Sequence, residues 1–189
     1  FTRGQNLEKI GQHAGDTSEL FFNDLRVPAD ALLGGLEGQG FVQMMRELPR
    51  ERLIIGVQAV YGAKGALDAT VKYVQERQAF GQAIGQFQNT RFTLAQCASD
   101  IAAAEAFLNA SVAAYERGEL SPEAASALKL HTTEVMGRVA DACLQLFGGY
   151  GYMAEYPISR FWTDARVLRI YGGTSEIMKE LVARSLLGR

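Results

Sequence analysis

The sequence predicts a mainly α-helical fold, an antiparallel four-helix bundle that follows a short and incomplete β segment. From Gly40 onward, apolar residues recur at intervals of three and four, the period of a buried helix face. The connections between these stretches are short, which favours antiparallel neighbours. Residues 1–35 instead carry β-like runs broken by glycine, aspartate and proline. We therefore divide the chain into a β piece, 1–35, and a helical domain, 36–189.

The β piece holds two or three strands at most, with its clearest run, ELFFNDLRV, at residues 19–27. So few strands leave exposed edges and have no second sheet to pack against. We expect this piece to be unstable by itself.

The first two helices are defined by their apolar stripes. We place Pro49 in the first turn of the first helix, where its missing N–H costs little. The second helix is expected to end near Gly118. The predicted buried positions are Leu53, Val57, Val60, Leu67, Val71 and Val74 in the first helix, and Leu94, Cys97, Ile101, Leu108, Val112 and Tyr115 in the second.

The last two helices have clear start and stop signals. Ser121 is placed as the N-cap of the third helix and Pro122 at its first helical position. Glycines 148 and 149 end this helix, whose stripe comprises Leu128, Val135, Val139, Ala142 and Leu146. The fourth helix is predicted from Thr174 or Ser175 to Leu187, with Gly188 closing it.

Composition excludes several classes of function. The chain has 189 residues, 48% of them hydrophobic, and 19 basic against 21 acidic side chains, so nucleic acid is not an expected partner. No apolar run is long enough to span a membrane, so no membrane partner is expected. Two histidines cannot form a transition-metal cluster. Cytoplasm is the default location, although an amino-terminal extension could hide a transit sequence.

Cys97 and Cys143 are far apart in the sequence, lack CxxC spacing and sit among apolar neighbours. We interpret them as two free buried thiols.

Three loop segments carry the informative side chains: QERQAFG at 75–81, QLFGGYGY at 145–152 and LRIYGGTSEIM at 168–178. The last segment opens a helix whose free N–H groups could bind a phosphate. None of the three is specific alone, since a glycine pair is usually a helix stop and Arg77 would usually be a solvated charge.

Their order and spacing resemble the carboxy-terminal half of an acyl-CoA dehydrogenase. IGQHAGDTSELFFNDLRVPADALLG resembles the end of the family's middle β-domain, and ERLIIGVQAVYGAKGALDATVKYVQERQAFGQAIGQFQ its first bundle helices. LQLFGGYGYMAEYPISRFWTDARVLRIYGGTSEIMKELVAR matches its carboxy-terminal signature. The resemblance covers the whole chain and implies a piece of a longer protein, in which 1–35 is a remnant of the middle β-domain.

The resemblance implies that FAD binds across a subunit interface. Arg77 matches the arginine that faces the pyrophosphate, with Phe80 beside it, and Gln145 and Gly149 match contacts to the adenosine end of the partner's FAD. The implied cofactor residues are Arg77, Phe80, Gln88, Gln145, Gly149, Thr174 and Glu176. The residues themselves favour an anion at Arg77 and Thr174, because a guanidinium and a helix amino terminus both attract one.

Many family members carry their catalytic glutamate at the position of Gly172. Relatives that act on long or branched chains place it at the start of the first bundle helix, where this sequence has Glu51, with Glu47 as the second candidate. A desolvated carboxylate from either element could reach the α-hydrogen.

The remaining implied substrate contacts surround this carboxylate. The resemblance implies that the N–H of Gly172 binds the thioester carbonyl. Gly172 and Gly173 keep a role at the substrate, and glycine here leaves space beside the α-carbon for Glu51 to approach from the first helix. Arg52 is then an arginine near the CoA end, and Tyr171 a wall of the acyl pocket, although a surface arginine and a core tyrosine are the plain alternatives.

The implied function is FAD-dependent α,β-dehydrogenation of an acyl-CoA to the trans-2-enoyl-CoA. In it Glu51 removes the proton, flavin N5 takes the hydride, and electron-transfer flavoprotein reoxidises the cofactor of a homo-oligomer, a tetramer or dimer. Two alternatives stay open: an acyl-CoA oxidase or flavin monooxygenase on the same fold, and a non-catalytic helical assembly module.

Overall fold

The computed structural model describes residues 1–188, which form a bundle of five α-helices preceded by a two-stranded antiparallel ribbon. The predicted mainly helical fold is confirmed. The strands are β1 (Thr2–Asn6), β2 (Ser18–Phe21), β3 (Gln78–Ala79) and β4 (Gln82–Ala83), and the helices are α1 (Gly40–Glu76), α2 (Gln88–Glu116), α3 (Pro122–Leu146), α4 (Pro157–Leu168) and α5 (Ser175–Leu187).

Helix α3 is the centre of the molecule, because it packs against α1, α2, α4 and α5. Its buried face includes Leu128, Val135 and Val139, each at most 1% exposed. Small residues on α1, among them Ala59 and Ala63, are fully buried opposite it and allow the two helices to approach closely. Two positions predicted as core, Val57 and Tyr115, are instead 38% and 42% exposed.

The prediction that Pro49 lies in the first turn of α1 is wrong. The helix begins at Gly40, so Pro49 lies inside it. Proline costs the helix the hydrogen bond to the carbonyl of Met45. The residues before it, FVQMMREL, are good enough helix formers to extend the helix past this defect.

Helix α4 was not predicted. It begins with Pro157 at its first helical position, and its buried residues Ile158, Ala165 and Leu168 follow helical spacing. It lies against both α1 and α3.

The other helix ends match the prediction. The hydroxyl oxygen of Ser121 accepts a hydrogen bond from the N–H of Ala124 at 3.1 Å and caps α3. Thr174 caps α5 through the N–H of Ile177 at 3.4 Å, and Gly188 ends that helix with a φ of +66°.

The ribbon of β1 and β2 is exposed along both strands, in agreement with the expectation that it lacks a core of its own. Thr2 pairs with Phe21 and Asn6 with Ser18, with an irregularity between these pairs. The loop between the strands contacts α4, where the N–H of Gln12 donates to Asp164 Oδ1 at 2.5 Å.

Cys97 on α2 and Cys143 on α3 are free and buried, as predicted. The fold also makes them neighbours, so that each thiol shifts the pKa of the other. Within residues 1–188, no helix combines the length and the apolar character needed to cross a bilayer.

Candidate functional site

The segment between α4 and α5 makes a tight turn that we call the glycine turn, residues 171–174. Gly172 and Gly173 have φ values of +64° and +102°, which glycine adopts without strain. Gly172 lies directly against Ile55 of α1, because a Cβ at position 172 would overlap the Ile55 Cδ1 methyl. Glycine at position 172 therefore permits the turn to touch the helix.

Backbone hydrogen bonds hold both ends of the glycine turn and leave the N–H groups of its two glycines free. The N–H of Tyr171 donates to the carbonyl of Val167 at 3.0 Å, and that of Ser175 donates to the carbonyl of Arg169 at 3.1 Å. The Tyr171 hydroxyl donates to Gln58 Oε1 on α1 at 2.7 Å. Among the residues that the structure describes, no protein acceptor pairs with the two glycine N–H groups between these anchors.

Glu51 lies on α1 one turn before Ile55, on the helix side that meets the glycine turn. Its side chain is exposed, and helical geometry directs it toward the start of α1. Glu47 lies one turn earlier and forms an exposed ion pair with Arg50 at 3.7 Å. Of the two candidate bases, Glu51 is therefore the nearer to the turn.

Arg52 is only 5% exposed, so it is not the surface charge that the sequence also allowed. Its Nη1 donates to the hydroxyl of Ser126 at 3.1 Å, while its buried Nε has no partner among residues 1–188. Its Nη2 lies 3.9 Å from the position of a Cβ on Gly173. Burial lowers the pKa of Arg52, and the nearby Glu51 carboxylate opposes that shift.

Sequence reasoning missed a set of polar side chains that α3 places beneath the glycine turn. Lys129 is fully buried and donates to the carbonyl of Gly173. Glu134 accepts from the Ser175 hydroxyl at 2.8 Å and pairs with Arg169 at 3.3 Å. The only signal available was the placement of charged residues inside the apolar stripe of α3.

The remaining predicted cofactor residues gather mainly at the other end of α1, in a cleft of about 780 Å³ that we call the helix-end cleft. It brings together four of the predicted residues, and Gln88 follows directly after its Phe87. The lining residues are Tyr73, Arg77, Ala79, Phe80, Ile84, Phe87, Thr90, Gln145, Leu146, Phe147, Gly148, Gly149, Tyr150, Met153 and Glu155.

The aromatic neighbour of Arg77 is Tyr150, whose ring centroid lies 5.3 Å from the guanidinium carbon. Phe80, which the resemblance places beside Arg77, lines the same cleft. Its ring meets Phe87 edge-on at 6.2 Å, and it is 96% exposed with a φ of +52°. An aromatic ring held in solvent in this way is available to a ligand or a second chain.

Thr174 and Glu176 lie with the glycine turn and not in the helix-end cleft. The Thr174 hydroxyl oxygen is used as the cap of α5. Hydrogen bonds from its own backbone N–H and from the Thr174 hydroxyl lower the pKa of Glu176. The predicted residues thus form two groups on one chain.

A single helix separates these two groups. Between Ile55, which touches Gly172, and Arg77, which follows the last residue of α1, the helix rises by roughly 33 Å. One small molecule the size of a dinucleotide cannot contact both groups fully within one chain.

Comparisons with known proteins identify the family of the chain. The family model described as "Acyl-CoA dehydrogenase, C-terminal domain" matches residues 38–187. A long-chain specific acyl-CoA dehydrogenase of Sus scrofa, named as mitochondrial, is 46% identical over 99% of this chain and 43% of its own length. The chain spans less than half the length of this protein and of its counterparts in Rattus norvegicus and Mus musculus.

Solved structures show the same fold. An acyl-CoA dehydrogenase from Geobacillus kaustophilus is 44% identical, with a TM-score of 0.94 over 98% of this chain and 48% of that one. A butyryl-CoA dehydrogenase from Megasphaera elsdenii is 35% identical, with the same TM-score and coverage. The fold is that of the C-terminal helical domain of these proteins. More narrowly, the chain belongs to the acyl-CoA dehydrogenase family.

Proposed function

We propose that this chain supplies the catalytic base and part of the cofactor site of an FAD-dependent acyl-CoA dehydrogenase, with the β-domain remnant at 1–35 and the helical domain at 36–189. The observation that carries the proposal is the position of Glu51, one turn from the residue that touches Gly172. This position sets a carboxylate on the side of α1 that meets two unpaired N–H groups, which supports proton removal next to a carbonyl.

In this mechanism the Glu51 carboxylate removes the proton from the α-carbon of the acyl thioester. The N–H of Gly172 donates to the thioester oxygen, on which negative charge develops as the proton leaves. Gly173 and Tyr171 bound the space beside that oxygen, and the buried Arg52 adds a positive charge near it. Bound FAD would supply the hydride acceptor for the β-carbon.

The helix-end cleft fits the other end of FAD. Arg77 has no carboxylate within 4.0 Å among residues 1–188, so its charge is free for a pyrophosphate. A Cβ added to Gly148 or Gly149 would meet no atom within 4 Å, which leaves room for the adenosine near Gln145. Phe80 and Gln88 lie at the mouth of this cleft.

The separation of the two groups supports a site shared by two copies of the chain. One copy offers Glu51, the glycine turn, Thr174 and Glu176, and the second offers its helix-end cleft. We therefore include a homo-oligomer in the proposal, with acyl-CoA as substrate and an electron-transfer flavoprotein as acceptor. One structural relative, 37% identical with a TM-score of 0.95, is itself described as an electron transferring flavoprotein of Acidaminococcus fermentans. A cytoplasmic location completes the proposal, to be checked by cell fractionation.

The test uses a chimeric enzyme that joins this chain to the amino-terminal half of the Geobacillus kaustophilus relative. We expect stoichiometric FAD, and bleaching of its yellow absorbance by acyl-CoA without oxygen. Rapid reoxidation of the reduced flavin by oxygen would instead support an oxidase or monooxygenase. A chimeric enzyme that forms oligomers without flavin would contradict the proposal and support an assembly module. The 189-residue chain alone is expected to bind FAD weakly and to lack activity, because it lacks the walls that other domains supply.

A further inference from the structure

Lys129 is an unusual residue for the centre of a helical bundle. It is fully buried on α3, and its ammonium donates to the carbonyl of Gly173, 44 residues away in the chain. No carboxylate lies within 4.0 Å of it in the described part of the chain, residues 1–188. Burial of a charge without an ion pair costs free energy that a leucine or methionine at this position would not cost.

The surroundings of Lys129 make a merely structural role a poor explanation. The buried guanidinium of Arg52 lies nearby, and its charge adds to burial in lowering the pKa of Lys129, an effect that Glu134 partly offsets. Glu134 itself is engaged by Ser175 and Arg169. The fold therefore places two cations beneath one turn, although repulsion between them opposes folding.

The glycine turn needs an anchor of this kind. Glycine permits many orientations of the peptide groups on either side of it, so local sterics do not fix the direction of the N–H of Gly172. The bond from Tyr171 to Val167 fixes the turn before Gly172, and the bond from Lys129 fixes the Gly173 carbonyl after it. With both sides held, the N–H between them has one direction.

We propose that Lys129 is a positioning residue: its buried ammonium holds the Gly173 carbonyl so that the N–H of Gly172 points at the thioester oxygen of the substrate. The inference rests on the proposed function. Lys129 does not touch the reacting atoms and acts only through the glycine turn. The charge matters because an ammonium donates a stronger hydrogen bond to a carbonyl than a neutral group does.

The activity test compares variants of the chimeric enzyme. Lys129→Met keeps the apolar stem and removes the charge and the donor. We expect kcat to fall about tenfold or more while KM changes less than about twofold, because the interaction with the thioester oxygen strengthens mainly in the transition state. Lys129→Gln keeps a neutral donor, so its kcat should fall less than that of Lys129→Met. If Lys129→Met does not fold, the kcat of Lys129→Gln tests the positioning role. Wild-type kcat in either folded variant would overturn the inference.

A matched control removes an ammonium elsewhere on the bundle. Lys64 on α1 pairs with Glu105 on α2 at 2.7 Å and lies outside both predicted groups. Lys64→Met should keep kcat within about twofold, since exposed ion pairs contribute little. An equal loss of kcat in Lys64→Met and Lys129→Met would overturn the positioning role.

A second readout does not depend on turnover. In the 189-residue chain, Lys129→Met should shift the NMR signals of the Gly173 carbonyl carbon and the Gly172 amide and speed hydrogen exchange of that amide, whereas Lys64→Met should not. If the wild-type chimeric enzyme fails to oxidise any acyl-CoA, the proposed function falls. The NMR comparison then decides the structural part alone: shifted signals support the hold of Lys129 on the turn, and unchanged signals overturn it.

Discussion

Gly172 and Ile55 touch so closely that any side chain at position 172 requires Ile55 to move. This contact joins the glycine turn to α1 just after Glu51. It also explains why the alternative position of the catalytic glutamate, which many family members use, is closed in this chain. A carboxylate at 172 would need both a displaced isoleucine and a φ of +64° that a side chain tolerates poorly.

The contact predicts the outcome of moving the base. In the chimeric enzyme, Gly172→Glu added to Glu51→Gln should restore little turnover, because the new side chain overlaps Ile55. Adding Ile55→Ala should raise the recovery by about tenfold with short straight acyl-CoA substrates, since misplacement by about 1 Å costs a hundredfold. The measurement compares initial rates of Glu51→Gln alone, with Gly172→Glu, and with both Gly172→Glu and Ile55→Ala. Equal recovery with and without Ile55→Ala would mean that the contact does not limit the position.

The assignment of Glu51 as base is tested by a pair of isosteric changes. Glu51→Gln removes proton affinity and keeps size, so turnover should fall by about a hundredfold or more with FAD and acyl-CoA binding nearly intact. Glu47→Gln is the matched control, because Glu47 is already paired with Arg50 and should lose less than about twofold. The reverse order of effects would show that the assignment is off by one helical turn.

A site shared by two copies predicts complementation between inactive variants. Glu51→Gln and Arg77→Ala should each abolish most turnover as pure oligomers. When both are co-expressed, a mixed dimer has one site with both residues intact, so random pairing should restore about a quarter of wild-type activity. The co-expressed mixture is assayed after purification through one affinity tag that both variants carry, so that all pairings are retained. A mixture as inactive as its components would place each site within one chain.

Lys129 makes stability depend on pH. Burial and the charge of Arg52 lower the pKa of Lys129 below the ordinary lysine value of 10.5. Between these two pKa values the unfolded chain binds more protons than the folded chain, so the folded wild type gains stability as pH rises. We expect the free energy of unfolding of the wild type to increase relative to Lys129→Met between neutral pH and about pH 10. Urea unfolding at several pH values measures this, and a constant difference would contradict it.

The paired thiols should be inert in the folded chain. A hydrogen bond to Cys143 and burial raise the pKa of Cys97, which suppresses the reactive thiolate. The hydrogen bond with Cys97 lowers the pKa of Cys143, but the Cys143 side chain is fully buried, so a reagent cannot reach it in the folded chain. Reaction of both cysteines with a disulfide reagent should therefore be slower by at least about a hundredfold in buffer than in urea. Rapid labelling of either thiol in the native chain would show that α2 and α3 separate readily.

The parts of the fold that the sequence predicted depend on local signals. Ser121 with Pro122, and Thr174 with Gly188, are caps whose effect needs no distant partner, and both helix ends appear where expected. The start of α1 was misplaced because a local penalty at Pro49 was outweighed by the length of the helix around it.

The residues of the candidate site also differ in whether a local sequence signal predicts them. Sequence motifs identified Arg77, Gly149 and the glycine turn. In the structure, Arg77 and Gly149 line the helix-end cleft. Lys129 could not be predicted from the sequence, because periodicity identifies only buried apolar positions. It does not show which polar residue will donate a hydrogen bond to a carbonyl of a distant loop. The contact between Tyr150 and Arg77 was missed because it joins two loops that are far apart in the sequence.

Helix α1 is a spacer of fixed length between the two parts of the proposed site, the glycine turn and the helix-end cleft. Arg77 follows the last residue of this helix and Glu51 lies in its first third, so one residue inserted between them would rotate Arg77 by about 100° around the helix axis and move it about 1.5 Å along it. Seven inserted residues would almost restore the rotation but lengthen the helix by about 10 Å. We therefore expect insertions and deletions within this stretch to be more damaging than substitutions at the exposed positions between Glu51 and Arg77.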